Sequence, residues 1–271
     1  MAEVHYDSRK KGVGLYIKEL FEYGDLFLIL AYRDLRVRYA QTFLGLFWAF
    51  LQPAATLLIF ILIFNKAVKV DTGDVPYPLF ALTGMSAWAY FSFVLSQSGQ
   101  SIIGAQEMVK KIYFPRLVIP LSKAVVAFVD FMIAIIFVVI LMLIYQYPIT
   151  LKLIWFPVFF FINIFAALSI GIWLSALTIR YRDFIHVIPF LVQFGLYATP
   201  VGYPASLIPE KFQFIYHLNP MSGVVEGFRY SIVGIGEISA FSYVSFLIIG
   251  ISFVSGMIYF KKVEKVMADI V

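Results

Sequence analysis

Gln106-Glu-Met-Val-Lys-Lys-Ile-Tyr-Phe-Pro-Arg-Leu-Val-Ile-Pro-Leu-Ser122 separates two long apolar runs of the chain. It carries Glu107, Lys110, Lys111 and Arg116, and it is punctuated by Pro115 and Pro120. Charges and unpaired backbone at this density are too costly in hydrocarbon. The segment therefore reads as a structured loop on one face of a membrane, exposed to a partner. Its neighbours, Leu79 to Ile103 before it and Ala124 to Tyr145 after it, are each long enough to cross a bilayer.

The rest of the chain repeats this alternation. The 271 residues are 62% hydrophobic and 14% charged, with mean hydropathy +0.89. Soluble domains carry about 25% charge, so this is an all-α integral membrane protein forming one transmembrane domain over residues 1–271. Further spans are expected at Phe43 to Phe64, Leu153 to Ile179, Ile185 to Thr199 and Ile238 to Phe260, making six with the two above. The fifth is short for a full crossing. Arg9, Lys10, Lys11, Lys18, Arg33, Arg36, Arg38, Lys110, Lys111, Arg116, Lys123, Arg180, Arg182, Lys261, Lys262 and Lys265 fall on one side. Only Lys66, Lys69, Lys152, Lys211 and Arg229 fall on the other. The positive-inside rule puts both termini in the cytoplasm, and the pI near 9.2 then needs no nucleic acid to explain it. The polar N-terminus lacks a short apolar core with a cleavage site, so no cleaved signal peptide is expected.

Two segments are neither spans nor plain loops. In residues 14–40, Leu28, Tyr32, Leu35 and Tyr39 share one helical face. Arg33, Arg36 and Arg38 lie largely off it, which predicts a helix lying in the cytoplasmic interface. Asp25 is its expected cap. Residues 200–237 are rich in Pro and Gly, and their apolar patches are too short to cross. Asn219-Pro220 predicts an N-cap followed by proline at the first helical position, and Gly234 a stop. A re-entrant helical hairpin on the outer side is expected.

Catalytic equipment is sparse. The chain has no cysteine, and His5, His186 and His217 lack the spacing of a metal hydrolase. There is no Gly-x-Ser-x-Gly elbow and no phosphate-binding loop. Asp130 is the sole acid in an expected span, and a helix-pairing role outweighs a proton relay for a lone acid. Gln52, Asn163 and Gln193 read as interhelical hydrogen-bonding groups. Aromatic content is high, with 29 Phe, 17 Tyr and 4 Trp. Phe47 and Phe50 (with Phe43), Phe190, Phe194 and Tyr197, and Trp88 with Phe91 recur at helical spacing. Such stripes face lipid or pack against helices, or line a channel in which sugar rings stack on them.

Several motifs taken in order resemble a known family. They are Arg33-Asp34-Leu35-Arg36-Val37-Arg38-Tyr39 with Leu44-Gly45-Leu46-Phe47-Trp48 and Leu51-Gln52-Pro53; Lys110-Lys111-Ile112-Tyr113-Phe114-Pro115-Arg116; Tyr181-Arg182-Asp183; Thr199-Pro200-Val201-Gly202-Tyr203; and Asn219-Pro220-Met221 with Glu226-Gly227-Phe228-Arg229. Together they resemble the ABC polysaccharide-export permeases, the Wzm-type membrane subunits of O-antigen, capsule and teichoic-acid exporters. The resemblance implies a homodimer with two copies of an ATPase subunit, which holds the ATP and Mg, in the bacterial inner membrane. No cofactor belongs to this chain, and nucleic acid is not a partner. It implies a cytoplasmic entrance gated by Arg36, Arg38, Tyr39, Phe43, Leu44 and Gly45, and a channel lined by Phe47, Phe50, Trp88, Phe190, Phe194 and Tyr197. The cytoplasmic loop, residues 104–122, is implied to dock on the ATPase through Glu107, Lys110, Lys111, Tyr113, Phe114, Pro115 and Arg116. The outer gate is implied at Asn219, Pro220, Glu226 and Arg229. The cargo is implied to be a polyprenyl-pyrophosphate-linked glycan taken from membrane lipid. A teichoic-acid or capsule exporter of the same family, a membrane-embedded lipid or glycosyl transferase, and a proton-coupled transporter using Asp130 are the alternative readings.

Overall fold

A computed structural model describes residues 13–40, 47–265 and 267, and among these every regular element is helical. The chain opens with α1 (Val13–Glu22) and α2 (Gly24–Tyr39), which break at Tyr23. Asp25 does not cap α2: Tyr23 holds the cap position, and Asp25 sits in the first turn. There its charge still suits the positive end of the helix. The predicted stripe is only half of the pattern. Leu28 and Tyr32 do face outward, but Leu26, Phe27 and Leu30 pack into the core and Ala31 is buried. α2 thus has an apolar face for the protein and another available to lipid. Along the protein-facing row, four-residue steps lead from Leu26 and Leu30 to Asp34 and Arg38.

Among the described residues, five helices are long and apolar enough to cross a membrane. α3 (Phe47–Phe60) runs on as a π-helical segment, Ile61–Ala67. α4 (Tyr77–Gly104), α6 (Val118–Ile144), α7 (Phe156–Arg180, entered through the turn Leu151–Trp155) and α11 (Ser242–Glu264) complete the set. α8 (Phe184–Ala198), the expected fifth span, has 15 residues. At 1.5 Å per residue it is about 22 Å long, short of the ~30 Å hydrocarbon core. Phe43, Leu44 and Gly45 lie outside the described residues.

α4 is the centre of the bundle and the most buried long helix. It packs against α6, α7, α8 and α10 (Pro220–Ile232). Small residues let it approach α7: a Cβ on Gly171 would sit 2.9 Å from Ser98 Cβ. Asn163 Nδ2 donates to the Ala87 carbonyl at 3.1 Å, joining the same two helices. In apolar surroundings such close seams and interhelical hydrogen bonds replace the hydrophobic drive.

The outer hairpin is built from α9 (Glu210–Tyr216) and α10. Asn219 caps α10 as its sequence requires: Oδ1 accepts from Met221 N at 3.0 Å, and Pro220 occupies the first turn. Gly234, at φ +70°, follows the C-terminus in the left-handed conformation that glycine tolerates. Most of α10 is buried, and a Cβ on Gly227 would enter the Phe159 ring of α7.

Candidate functional site

Three regions collect the polar chemistry. We call the face carrying α5 (Gln106–Lys111) the inner one, following the charge asymmetry.

The first region is a cavity of about 590 Å³ between α2, α3, α4, α6 and α8. Arg38 Nη2 donates to Asp130 Oδ2 at 2.6 Å, and the Tyr39 hydroxyl donates to Asp130 Oδ1. The Arg38 guanidinium also lies over the Phe93 ring, 4.4 Å from its centroid. Burial and the Asp130 hydrogen bond push the Tyr39 phenol up to about 12, so it stays a donor. Asp130 is therefore a helix-pairing acid: it joins α6 to the end of α2. Beside it, Asp34 pairs with Lys123 of α6 and with Arg33 at 2.8 Å. Burial alone raises the Asp34 carboxyl, but the hydrogen bonds from Lys123 and Arg33 outweigh it and hold it below the ordinary carboxylate value. Two ion pairs thus fasten α2 to α6.

The other cavity walls are mixed. Trp48 and Gln52 come from α3, and Trp88, Ser92 and Gln97 from α4. Flat rings beside amide and hydroxyl groups can stack on a sugar ring and hydrogen-bond to its hydroxyls. Of the expected channel aromatics, only Trp88 lines this cavity. Phe50 packs on Phe137, with centroids 4.5 Å apart. Phe190, Phe194 and Tyr197 are 63%, 62% and 63% exposed, and form an outward stripe on α8. Phe47 is likewise exposed, and Arg36 lies exposed on α2. Gln52 and Trp48 point at the cavity, whereas Gln193 is exposed on α8. Phe93 and Gln97 escaped sequence reading, and Trp48 entered it only within a motif, because nothing local marks the face they share.

The second region is the inner loop. Glu107 and Lys111 form an exposed i,i+4 pair at 3.1 Å. Lys110, Ile112 and Tyr113 are exposed with them. Phe114, expected on the docking face, is instead 3% exposed, and Pro115 is buried beside it. Arg116 is also turned inward: its backbone N donates to Glu264 Oε1 at 2.7 Å, and its Nη1 donates to the Glu264 carbonyl at 2.7 Å. The accessible patch is α5 with Ile112 and Tyr113, and Phe114 to Arg116 are its anchor.

The third region underlies the outer hairpin. Arg229 is 4% exposed. It donates to the carbonyls of Val201 at 2.7 Å, Tyr203 at 3.3 Å and Phe80 at 3.4 Å, and its guanidinium lies 3.6 Å from the Phe80 ring centroid. One side chain so ties α10 to α4 and to the turn after α8. Asn219 Nδ2 donates to Thr199 Oγ1 at 2.8 Å, adding a second tie to that turn. Glu226 Oε2 accepts from Ser242 Oγ at 2.7 Å and meets His217 Nε2 at 3.2 Å. The other imidazole nitrogen faces the Gln213 carbonyl at 2.8 Å. Desolvation lowers the His217 pKa, but the contacts with Glu226 and Gln213 raise it further, so the net shift is upward. Asn219, Pro220, Glu226 and Arg229 thus share one assembly. His217, Ser242 and Ser245 belong to it too, and sequence reading missed them, since no spacing rule links the end of α9 to the start of α11.

Comparison with known proteins agrees with this architecture. The family model for ABC-2 type transporters matches residues 25–233. An O-antigen export system permease protein RfbA of Myxococcus xanthus is 29% identical over 216 residues, covering 79% of this chain and 82% of its own. A protein of the same name from Klebsiella pneumoniae is 28% identical over 249 residues, covering 91% and 95%. The polysialic acid transport protein KpsM of Escherichia coli is 27% identical over 206 residues, covering 72% and 76%. The match spans α2, the cavity and the α9–α10 hairpin alike, so the chain belongs to the membrane family of ABC-2 type transporters.

Proposed function

We propose that this chain is the permease subunit of an ATP-driven exporter that moves a lipid-linked, O-antigen-like polysaccharide across the bacterial inner membrane. The observation that carries the reading is the inner cavity. It sets an ion pair, amides, hydroxyls and two tryptophans beside an interfacial helix with exposed Arg33 and Arg36. Cations at the lipid surface suit a pyrophosphate headgroup, and the mixed cavity wall suits the first sugars behind it. Relatives named for O-antigen export support the same cargo class.

In this reading two copies of the chain enclose the path and two ATPase subunits dock on the exposed α5 patch. The ATPase supplies ATP and Mg²⁺ chemistry, and this chain supplies the conduit. Both termini lie in the cytoplasm. Arg38 and Tyr39, held by Asp130, form the rigid rim of the entrance. The hairpin held by Asn219, Glu226 and Arg229 closes the exit. The likeness to a polysialic acid transporter favours a second cargo, an acidic capsule-type polymer.

The test is a strain lacking the chain, complemented by wild type or by a Trp48→Ala/Trp88→Ala variant. Loss should leave lipid-linked polymer inside the cell and none at the surface, and the variant should export more slowly with the ATPase still co-purifying. Chemical analysis of the retained polymer separates a neutral from an acidic cargo. Normal surface polymer without the chain, or purification without an ATPase, would overturn the reading.

A further inference from the structure

α11 joins the two ends of the molecule. Its 23 residues span about 34 Å at 1.5 Å per residue. At the inner end, Glu264 holds Arg116 by two hydrogen bonds running to different atoms, carboxylate to backbone N and carbonyl to guanidinium. Arg116 directly follows Phe114 and Pro115, the buried anchor of the exposed α5 patch. At the outer end, Ser242 Oγ donates to Glu226 of α10 at 2.7 Å. One turn later, Ser245 Oγ donates to the carbonyls of His217 at 2.8 Å and Asn219 at 3.1 Å. Both carbonyls lie in the turn between α9 and α10.

Between its bonded ends α11 touches few partners. It lies chiefly along α7, and much of its length is exposed. Its seat on α7 is stiff: Trp173 Nε1 donates to the Ser252 carbonyl at 3.1 Å, its ring stacks on Tyr259 with centroids 4.7 Å apart, and Gly256 admits it. A central helix such as α4 is packed on all sides and cannot shift alone. A peripheral helix bonded at both ends, and seated on α7 alone along its middle, can carry a displacement from one end to the other together with α7.

We propose that α11 is the coupling strut of the transporter. A displacement of the inner loop by the nucleotide-bound partner is carried through Arg116–Glu264 to α11, and from Ser242 and Ser245 into the outer hairpin. Glu264 and Ser245 are positioning residues in this scheme. The proposal rests on the exporter reading above, because it needs an ATPase at the inner face.

The chain has no cysteine, so one introduced thiol reports cleanly. Ile215→Cys places it on α9 at a position 62% exposed. In the complex reconstituted with its ATPase, the maleimide labelling rate is compared without nucleotide and with ATP plus vanadate. The expected wild-type change is about fivefold, the low end of allosteric coupling factors. Glu264→Ala, which removes the carboxylate bond and leaves the one to the backbone carbonyl, and Ser245→Ala should each reduce the change while leaving ATPase co-purification intact. The double variant should be no worse than either single one, as for two links of one chain. Glu264→Gln keeps an oxygen acceptor for Arg116 N and should respond like wild type. The proposal falls if Glu264→Ala retains the wild-type response, if the two losses add, or if Glu264→Gln is as deficient as Glu264→Ala. If wild type itself shows no nucleotide response, the exporter reading fails and takes the strut with it.

Discussion

Replacing Asp130 by Asn probes the joint between the interfacial helix and the bundle. The amide keeps an oxygen for the Tyr39 hydroxyl but leaves Arg38 without its counter-ion. The two side chains are 37% and 23% exposed, which places the pair between two limits. Fully exposed pairs contribute ~0–1 kcal/mol, and breaking a buried pair costs ~3–5 kcal/mol. The gross attraction at an effective dielectric near 20 is about 4 kcal/mol, and hydration of the freed guanidinium recovers much of it. The expected net cost is about 1–2 kcal/mol, or roughly a 5- to 30-fold rise in local opening. Because the second pair, Asp34 with Lys123, remains, α2 should loosen at its C-terminal end rather than detach. Hydrogen exchange in nanodiscs reads this directly: amides of residues 35–39 should exchange faster, and those of 24–30 much less so. Arg38→Gln should act alike, and the exchanged pair Arg38→Asp/Asp130→Arg should recover part of the loss. Unchanged exchange at 35–39 in Asp130→Asn, or an exchanged pair worse than both single variants, would refute the reasoning.

Three further outcomes are expected. Gly227→Val forces a branched side chain into the Phe159 ring, and overpacking of ~1–3 kcal/mol should lower the thermal midpoint in detergent, whereas Gly236→Val, with nothing within 4 Å but φ +75°, should cost only backbone strain. Arg229→Met removes the donor to the Val201 and Tyr203 carbonyls; at ~1–3 kcal/mol per buried unsatisfied group, the turn 199–203 should become the most protease-sensitive outer site. The His217–Glu226 contact adds a pH dependence: the folded pKa of His217 is raised, so its stabilisation is full below about 6.5 and is lost as pH rises through the folded value. Exchange in α9, corrected for the intrinsic rate, should accelerate as pH rises above about 6.5, and His217→Gln should flatten that profile.

What the sequence announces is what local physics controls. The long spans follow from hydropathy, and the start and stop of α10 follow from Asn219, Pro220 and Gly234, because a cap needs only residues a few positions apart. The α2 surface was half legible, since Leu28 and Tyr32 mark one face while Leu26, Phe27 and Leu30 mark another, and periodicity does not rank two apolar stripes. The aromatic row on α8 was placed on one helix face, but spacing is silent on the medium that face meets. Phe114 and Arg116 look like surface residues in a basic loop; burying them takes Glu264, 148 positions away. The Arg38–Asp130 joint likewise spans 92 positions. Pairings of that reach belong to the topology, so the site was legible as an inventory of residues rather than as an arrangement.

The burial of α4 bears on how the chain is made. It is the least apolar of the long helices and the one most enclosed by its neighbours. Thr83, Ser86, Ser98 and Ser101 find shelter only within the finished bundle. On the ribosome this helix emerges well before α7, its most extensive cover. For that interval the insertion machinery, or the strongly apolar α6 that follows, must keep it from the acyl chains.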